Sequence, residues 1–179
     1  MKIGFGILLE DEAFNFVRSI ELELFHKFGL LRGIKQPPHI TIKSPFYTDK
    51  VEPFYQYLKD LSKRIKPFEI KLEGFGHFEK KVIFLNVKEN PFLKKLHLKI
   101  IKELKEKFDV KPSKLEGKSI KFHSTIALKD FSEKEFKKIK KYLTRKYKPS
   151  LRFKARRIGI FYYLGQHNWI VIKTVKFNF

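Results

Sequence analysis

Apolar residues recur along the chain at two periods, and the switches between them predict its elements. Lys2–Leu9 reads as a strand. From Asp11 to Phe28 the residues Phe14, Val17, Ile20, Leu24 and Phe28 fall three or four apart, the spacing that lines one face of a helix. The loop GLLRGIKQPP follows, and then the stretch PPHITIKSPF, in which Ile40 and Ile42 alternate with His39, Thr41 and Lys43 as in a half-buried strand. Phe54, Leu58, Leu61 and Ile65 mark a second helix, and PFEIKLEGFGHF and KVIFLNVKE a strand pair.

The series then starts again. Asn90 before Pro91 is an N-cap with proline at the first helical position, and Leu93, Leu96, Ile100, Leu104 and Phe108 line the helix it opens. A polar loop leads to KFHSTIALKD, another strand. Ser132 and Glu135 are spaced as a capping box for a helix carrying Phe136, Ile139 and Leu143. The strands LRFKARRIGIFYYLG and NWIVIKTVKF, with a turn near Gly165–Asn168, end the chain. His39 and His123 are 84 residues apart, Lys66 and Lys148 (each before proline) 82, and Gly76 and Gly159 83. Three correspondences at one offset predict an internal duplication, with repeat halves of about 1–80 and 81–179. A repeat this long exceeds solenoid periods. The expected fold is α+β: one bilobal domain of two similar lobes, each an antiparallel-rich sheet with helices on one face, and a cleft between them.

Composition narrows the function. The 179 residues contain no cysteine, which excludes disulfides and thiol chemistry, and no His–Asp/Glu spacing suggests a metal site. No cofactor is expected: Gly4, Gly6, Gly74 and Gly76 do not form a phosphate-cradling loop before a helix. No apolar run approaches the roughly 20 residues of a membrane span, and MKIGFGILLEDE turns acidic too early for a signal peptide. A soluble, cytoplasmic monomer is expected. The net charge of +21 is uneven: residues 1–89 hold 15 Lys/Arg against 12 Asp/Glu, and residues 90–179 hold 25 against 7. Such an excess attracts polyanions, although a Lys-rich thermophilic surface gives the same count.

The chemistry-bearing residues lie on the two alternating strands. Alternate side chains share a face, so His39, Thr41 and Lys43 point one way while Ile40 and Ile42 point to the helices. In the second copy His123 and Thr125 share the open face, Phe122, Ile126 and Leu128 fill the core, and Ser124 falls on the core face, where it needs a backbone partner. Each lobe thus offers one imidazole and one hydroxyl. Two histidines titrating near neutrality can act as base and acid on a phosphate diester, with Thr41 and Thr125 holding its oxygens and Lys43 neutralising developing charge. Ala127 stands where the second copy would repeat Lys43.

HIT at 39–41 and HST at 123–125 resemble the paired H-x-[T/S] signature of the 2H phosphoesterase superfamily, which includes the 2′-5′ RNA ligase and cyclic phosphodiesterase family; PPHITIKSPF is similar to the first motif of one branch. The resemblance implies a bilobal fold with a central cleft and a metal-independent reaction on 2′,3′-cyclic phosphate RNA ends, small cyclic nucleotides or 2′-5′ linkages. By the same carry-over His39 and His123 are the acid/base pair, and Thr41 and Thr125 bind phosphate. The implied partner is RNA or a cyclic-phosphate nucleotide. A basic RNA-binding protein without turnover and a phosphodiesterase of small cyclic nucleotides are the alternatives. His26 and His97 read as partly buried helix residues, and His77 and His167 as turn residues. Arg156, Arg157, Phe161, Tyr162 and Tyr163, and Phe46–Tyr47, interleave charge with rings able to stack on bases.

Overall fold

The computed structural model describes residues 1–178. The chain runs β1 (Lys2–Leu8), α1 (Asp11–Phe28), β2 (His39–Tyr47), α2 (Glu52–Ser62), β3 (Phe68–Phe78), β4 (Val82–Val87), α3 (Pro91–Phe108), β5 (His123–Leu128), α4 (Glu133–Lys146), β6 (Ser150–Ala155), β7 (Arg157–Gly165) and β8 (Asn168–Lys176). Local signals start and stop these elements as the sequence predicts. Asn90 Oδ1 accepts from Leu93 N at 2.9 Å to cap α3, and Ser132 and Glu135 close the capping box of α4. Gly29, at φ 72°, ends α1 in the left-handed conformation that glycine adopts without strain.

Two antiparallel four-stranded sheets result, ordered β2-β1-β7-β8 and β5-β4-β3-β6. The α+β bilobal architecture is the expected one, but the sheets do not follow the halves of the sequence repeat. The long segment read as LRFKARRIGIFYYLG breaks at Arg156: β6 pairs with β3, whereas β7 crosses to pair with β1. Each sheet therefore mixes strands from both repeats.

The helices are exchanged in the same sense. α2 and α3 cover the first sheet, where Phe54 packs against Phe5, Phe46 and Phe108. α1 leaves the first sheet yet lies on β5 and β6 of the second, beside α4, to which Phe28 and Phe16 join it through Tyr142 and Tyr147. Val17, Ile20 and Leu24 of α1 and Ile100 and Leu104 of α3 are 0–1% exposed, and burying each such side chain stabilises the fold by about 1.5–3 kcal/mol. Among the described residues, no helix lies on the opposite face of either sheet. Among the described residues, no helix is long and apolar enough to cross a membrane.

Candidate active site

β2 and β5 are edge strands of different sheets, and they lie against each other. Each begins with its histidine, so the contact brings the two H-x-T stretches together on the uncovered faces. His39 and His123 are close enough for the charge of one to lower the proton affinity of the other.

The two imidazoles are held in the same way. His39 Nδ1 donates to the carbonyl of Pro37 at 2.7 Å, and His123 Nδ1 to that of Lys121 at 2.8 Å, two residues upstream in each case. A carbonyl only accepts, so Nδ1 carries the proton and Nε2 keeps its lone pair in the neutral ring. Thr41 Oγ1 lies 3.2 Å from His39 Nε2 and donates to it. Thr125 makes no matching bond to His123 among the described residues.

Each ring also rests on a buried phenylalanine outside the main core. His39 lies 4.3 Å from Phe161 and His123 4.7 Å from Phe84, centroid to centroid, both tilted. Such backing removes water from the imidazole and disfavours its charged form. Burial pushes His39 down to about 4, helped by the charge of His123 and opposed by the bond to Pro37. His123 is lowered too, by burial first and by Lys121, against the bond to the Lys121 carbonyl.

A cavity of about 130 Å³ opens beside His39 and Thr41. Gly4 of β1 lies on its floor with Gly6 nearby, between β2 and β7, and Phe161, Trp169 and Gln36 close its sides. A Cβ on Gly6 would stand 2.9 Å from both His39 Cδ2 and Phe161 Cε2, so only glycine lets the two rings meet over the strand. On the second sheet, a Cβ on Gly76 would collide with the Phe84 ring and lie 2.6 Å from Asn86 Oδ1. The glycines set aside as phosphate-loop candidates make room on the sheet faces instead. Sequence reading missed Gly6, Gln36, Trp169, Phe84 and Asn86; the signal for the glycines was their repeated G-F-G setting at 4–6 and 74–76.

Lys43 lines the cavity beside His39 too, but its ammonium is engaged by a buried carboxylate. A bulge shifts the β1–β2 register between Thr41 and Lys43, so Ile42 and Lys43 are both buried and strict alternation fails. Lys43 is 1% exposed, and its ammonium lies 2.9 and 3.2 Å from the carboxylate oxygens of Glu116. Glu116 also accepts from Ser44 N and Ser113 N, each at 2.6 Å. His97 completes this knot: it is wholly buried, donates to the Ile42 carbonyl at 2.7 Å and accepts from Gly117 N at 3.0 Å. Segment 113–117, which leads toward β5, is thereby pinned to β2.

Ser124 is fully buried as expected, but its hydroxyl finds no partner among the described residues. His26 is exposed on α1. His77 donates to the Glu79 carbonyl at the end of β3. His167 sits in the β7–β8 turn, lowered by partial burial and then by Arg32, Lys129 and Lys35. Among the described residues, no three His, Asp or Glu side chains are grouped to hold a metal.

Comparison with known proteins places this geometry in a family. TT0787 of Thermus thermophilus shares the fold with a TM-score of 0.68 at 14% identity, over 98% of this chain and 97% of that one. The E. coli LigT structure complexed with 3'-AMP matches at a TM-score of 0.59 and 13% identity, over 98% and 97%. A Bacillus licheniformis protein named "Putative phosphoesterase" is 27% identical over 104 residues, 56% of this chain and 59% of the relative. A Geobacillus kaustophilus protein of the same description is 29% identical over 54% of this chain and 56% of its own length. The chain thus spans less than two thirds of these two relatives. The family model described as the 2'-5' RNA ligase superfamily matches residues 9–167, which include both histidine strands, and the chain belongs to that superfamily.

Proposed function

We propose that the protein is a phosphoesterase that opens 2′,3′-cyclic phosphates at RNA ends, with His39 and His123 as the acid/base pair and Thr41 and Thr125 as the phosphate-binding hydroxyls. The observation that carries the reading is the repeated lock: in both strands Nδ1 is tied to the carbonyl two residues upstream, which turns both Nε2 atoms to the threonine side, where His39 Nε2 accepts from Thr41 until substrate takes that hydroxyl. His39, held neutral at physiological pH, takes the proton of an attacking water at Nε2. The water oxygen bonds to phosphorus, the bond to one ribose oxygen breaks, and His123 delivers a proton to that oxygen. Because a proton on one ring opposes a proton on the other, the pair carries at most one, and the reactive form is the one that holds it on His123, whose own affinity burial also lowers. The threonine hydroxyls donate to the non-bridging oxygens, where charge gathers.

The test compares the wild type with His39→Ala and His123→Ala on an RNA ending in a 2′,3′-cyclic phosphate. Each substitution is expected to lower kcat by about 10²–10⁴, and the wild-type pH–rate profile to be bell-shaped, with apparent values belonging to the pair. Undiminished turnover in both variants refutes the mechanism. Absence of wild-type hydrolysis, with salt-dependent RNA binding that survives both substitutions, favours a binding protein instead.

A further inference from the structure

The lysines of this protein are used in two different ways. Some are paired along one element or across a sheet: Lys99 with Glu103 and Lys102 with Glu106 on α3, and Lys71 and Lys88 with Glu73. On α4 they are not. This helix carries seven Lys/Arg in 14 residues, while Glu133 is engaged by Lys80 and Glu135 by the capping box. Among the described residues, Lys146 alone of the seven has a carboxylate partner, Glu23 on α1.

The unpaired charges converge on one groove. Lys138, Lys141 and Arg145 lie three and four residues apart, so they share a helix face with roughly 4.5 and 6 Å of rise between them. With Lys27, Lys146 and the rings of Phe28 and Tyr142 they line a groove of about 610 Å³ between α4 and the end of α1, where Glu23 engages Lys146 and the Tyr142 hydroxyl and, among the described residues, leaves the other cations without a carboxylate. The Lys27 ammonium lies 4.3 Å from the centre of the Tyr142 ring. Clustered like charges destabilise the compact state by self-repulsion, so this cluster is not there to stabilise the fold.

One short stretch of chain connects the groove to the site. α1 ends beside Lys27 and Phe28, and the chain continues through Arg32, Lys35 and Gln36 to His39. Asp130 accepts from Leu31 N and Arg32 N, both at 2.7 Å, and Arg32 donates to the Lys129 carbonyl at 2.7 Å, which fixes this loop across both sheets. Arg32, Lys129 and Lys35 all bear on His167, which is two residues before Trp169 in the cavity wall. Arg32, Lys35 and Lys129 thus set positive charge, offset in part by Asp130, on the segment that leads from the helix-covered side to the cavity.

We propose that the α1–α4 groove docks the body of a single-stranded RNA whose terminal phosphate lies between His39 and His123. This rests on the phosphoesterase reading for the position of the end. Spaced cations follow the phosphates, and the Phe28 and Tyr142 rings offer surfaces to bases, the combination that holds single strands without reading sequence. The natural substrate is then a strand several nucleotides long, not a free cyclic nucleotide.

The test uses the triple variant Lys138→Glu/Lys141→Glu/Arg145→Glu, with Lys→Gln and Arg→Gln at the same sites as a milder set. Circular dichroism and melting confirm that each folds. Affinity for a labelled RNA of about 20 nucleotides ending in a 2′,3′-cyclic phosphate is read by anisotropy over a range of salt. Loss of three phosphate contacts is expected to weaken binding at least tenfold and to flatten the log–log salt slope by about 2. Turnover of a mononucleoside 2′,3′-cyclic phosphate is expected to stay unchanged. An unaltered affinity and slope overturns the proposal. So does wild-type capture by anionic phospholipid vesicles, lost in the triple variant, with no change in RNA affinity. If the wild type opens neither substrate while the RNA slope still flattens in the variant, the docking surface stands and the reaction fails.

Discussion

Lys43 separates a structural cation from a phosphate-binding one, and Lys43→Met tests which it is. The substitution keeps a long apolar stem and removes the ammonium. Both side chains of the pair are 0–1% exposed, so Glu116 would be left charged and out of water. Removing one partner of a buried pair typically costs about 3–5 kcal/mol. Glu116 would keep its two backbone donors, Ser44 N and Ser113 N, which argues for the lower end, about 3 kcal/mol. For a chain of this size that corresponds to a fall in Tm of about 6–12 °C. Adding Glu116→Gln removes the stranded charge and is expected to restore at least about 1 kcal/mol, a coupling that a double-mutant cycle measures. The assay is thermal melting, paired with kcat and KM on a cyclic phosphate well below the melting range. Tm is expected to drop while kcat/KM holds within about threefold. A Tm within about 2 °C of wild type, together with a KM raised more than tenfold, would show that the ammonium faces substrate and would refute the assignment.

Gly6→Ala places a methyl against His39 and Phe161 at 2.9 Å. Turning the imidazole aside is expected to lower kcat at least tenfold, since a displacement of about 1 Å can cost about 10²-fold; full activity would show that the ring need not rest on β1. Glu21 is buried with Arg18 as its ion partner, and burial pushes its carboxyl up to about 8 against the pull of Arg18. The folded chain therefore holds a proton that the unfolded chain releases, so this group's contribution falls as pH rises from about 4.5 through 8. Glu21→Gln is expected to gain stability over the wild type at pH 8 relative to pH 5, by up to about 3 kcal/mol in urea titrations; equal differences at both pH values would contradict it. His39 titrates in the opposite sense. Its folded value near 4 lies below the ordinary 6.5, so its contribution is intact above about 6.5 and lost as pH falls toward 4.

Much of this molecule is legible in its sequence because its signals are local. The Val17–Ile20–Leu24 stripe, the Asn90 cap, the Ser132–Glu135 box and the alternation of Ile40 and Ile42 each act within a turn or a strand. The histidines were readable because two copies of one short pattern stand at one offset. The buried pairing of Lys43 has an equally physical origin. Alternation assigns it to the open face, but the β1–β2 register shifts at a bulge, and its partner Glu116 lies 73 residues away in a polar loop. Nothing local in the sequence marks either. Gln36 and Trp169 escaped for the same reason, since the Trp169 amide reaches the Lys35 carbonyl only after β8 has folded back on β7.

The break at Arg156 is what turns a duplicated sequence into one candidate site. Had β7 continued from β6 in the second sheet, His39 would lack the Phe161 ring that it rests on, because Phe161 reaches β2 only by pairing β7 with β1. The reverse exchange carries β3, from the first repeat, beside β4, where Phe78 packs edge-on against His123 at 4.9 Å. Each histidine thus stands on a strand of one repeat and touches a ring supplied by the other. The arginine at the break is itself held: Arg156 reaches Asp11 at 2.9 Å and Arg157 reaches Glu10 at 3.3 Å, both at the start of α1. The strand exchange is fixed from the first repeat, at the point where the chain leaves the second sheet for the first. Desolvation of both imidazoles, and with it the neutral ring that the proposed reaction needs at His39, is therefore a property of the exchanged pair and not of either half alone.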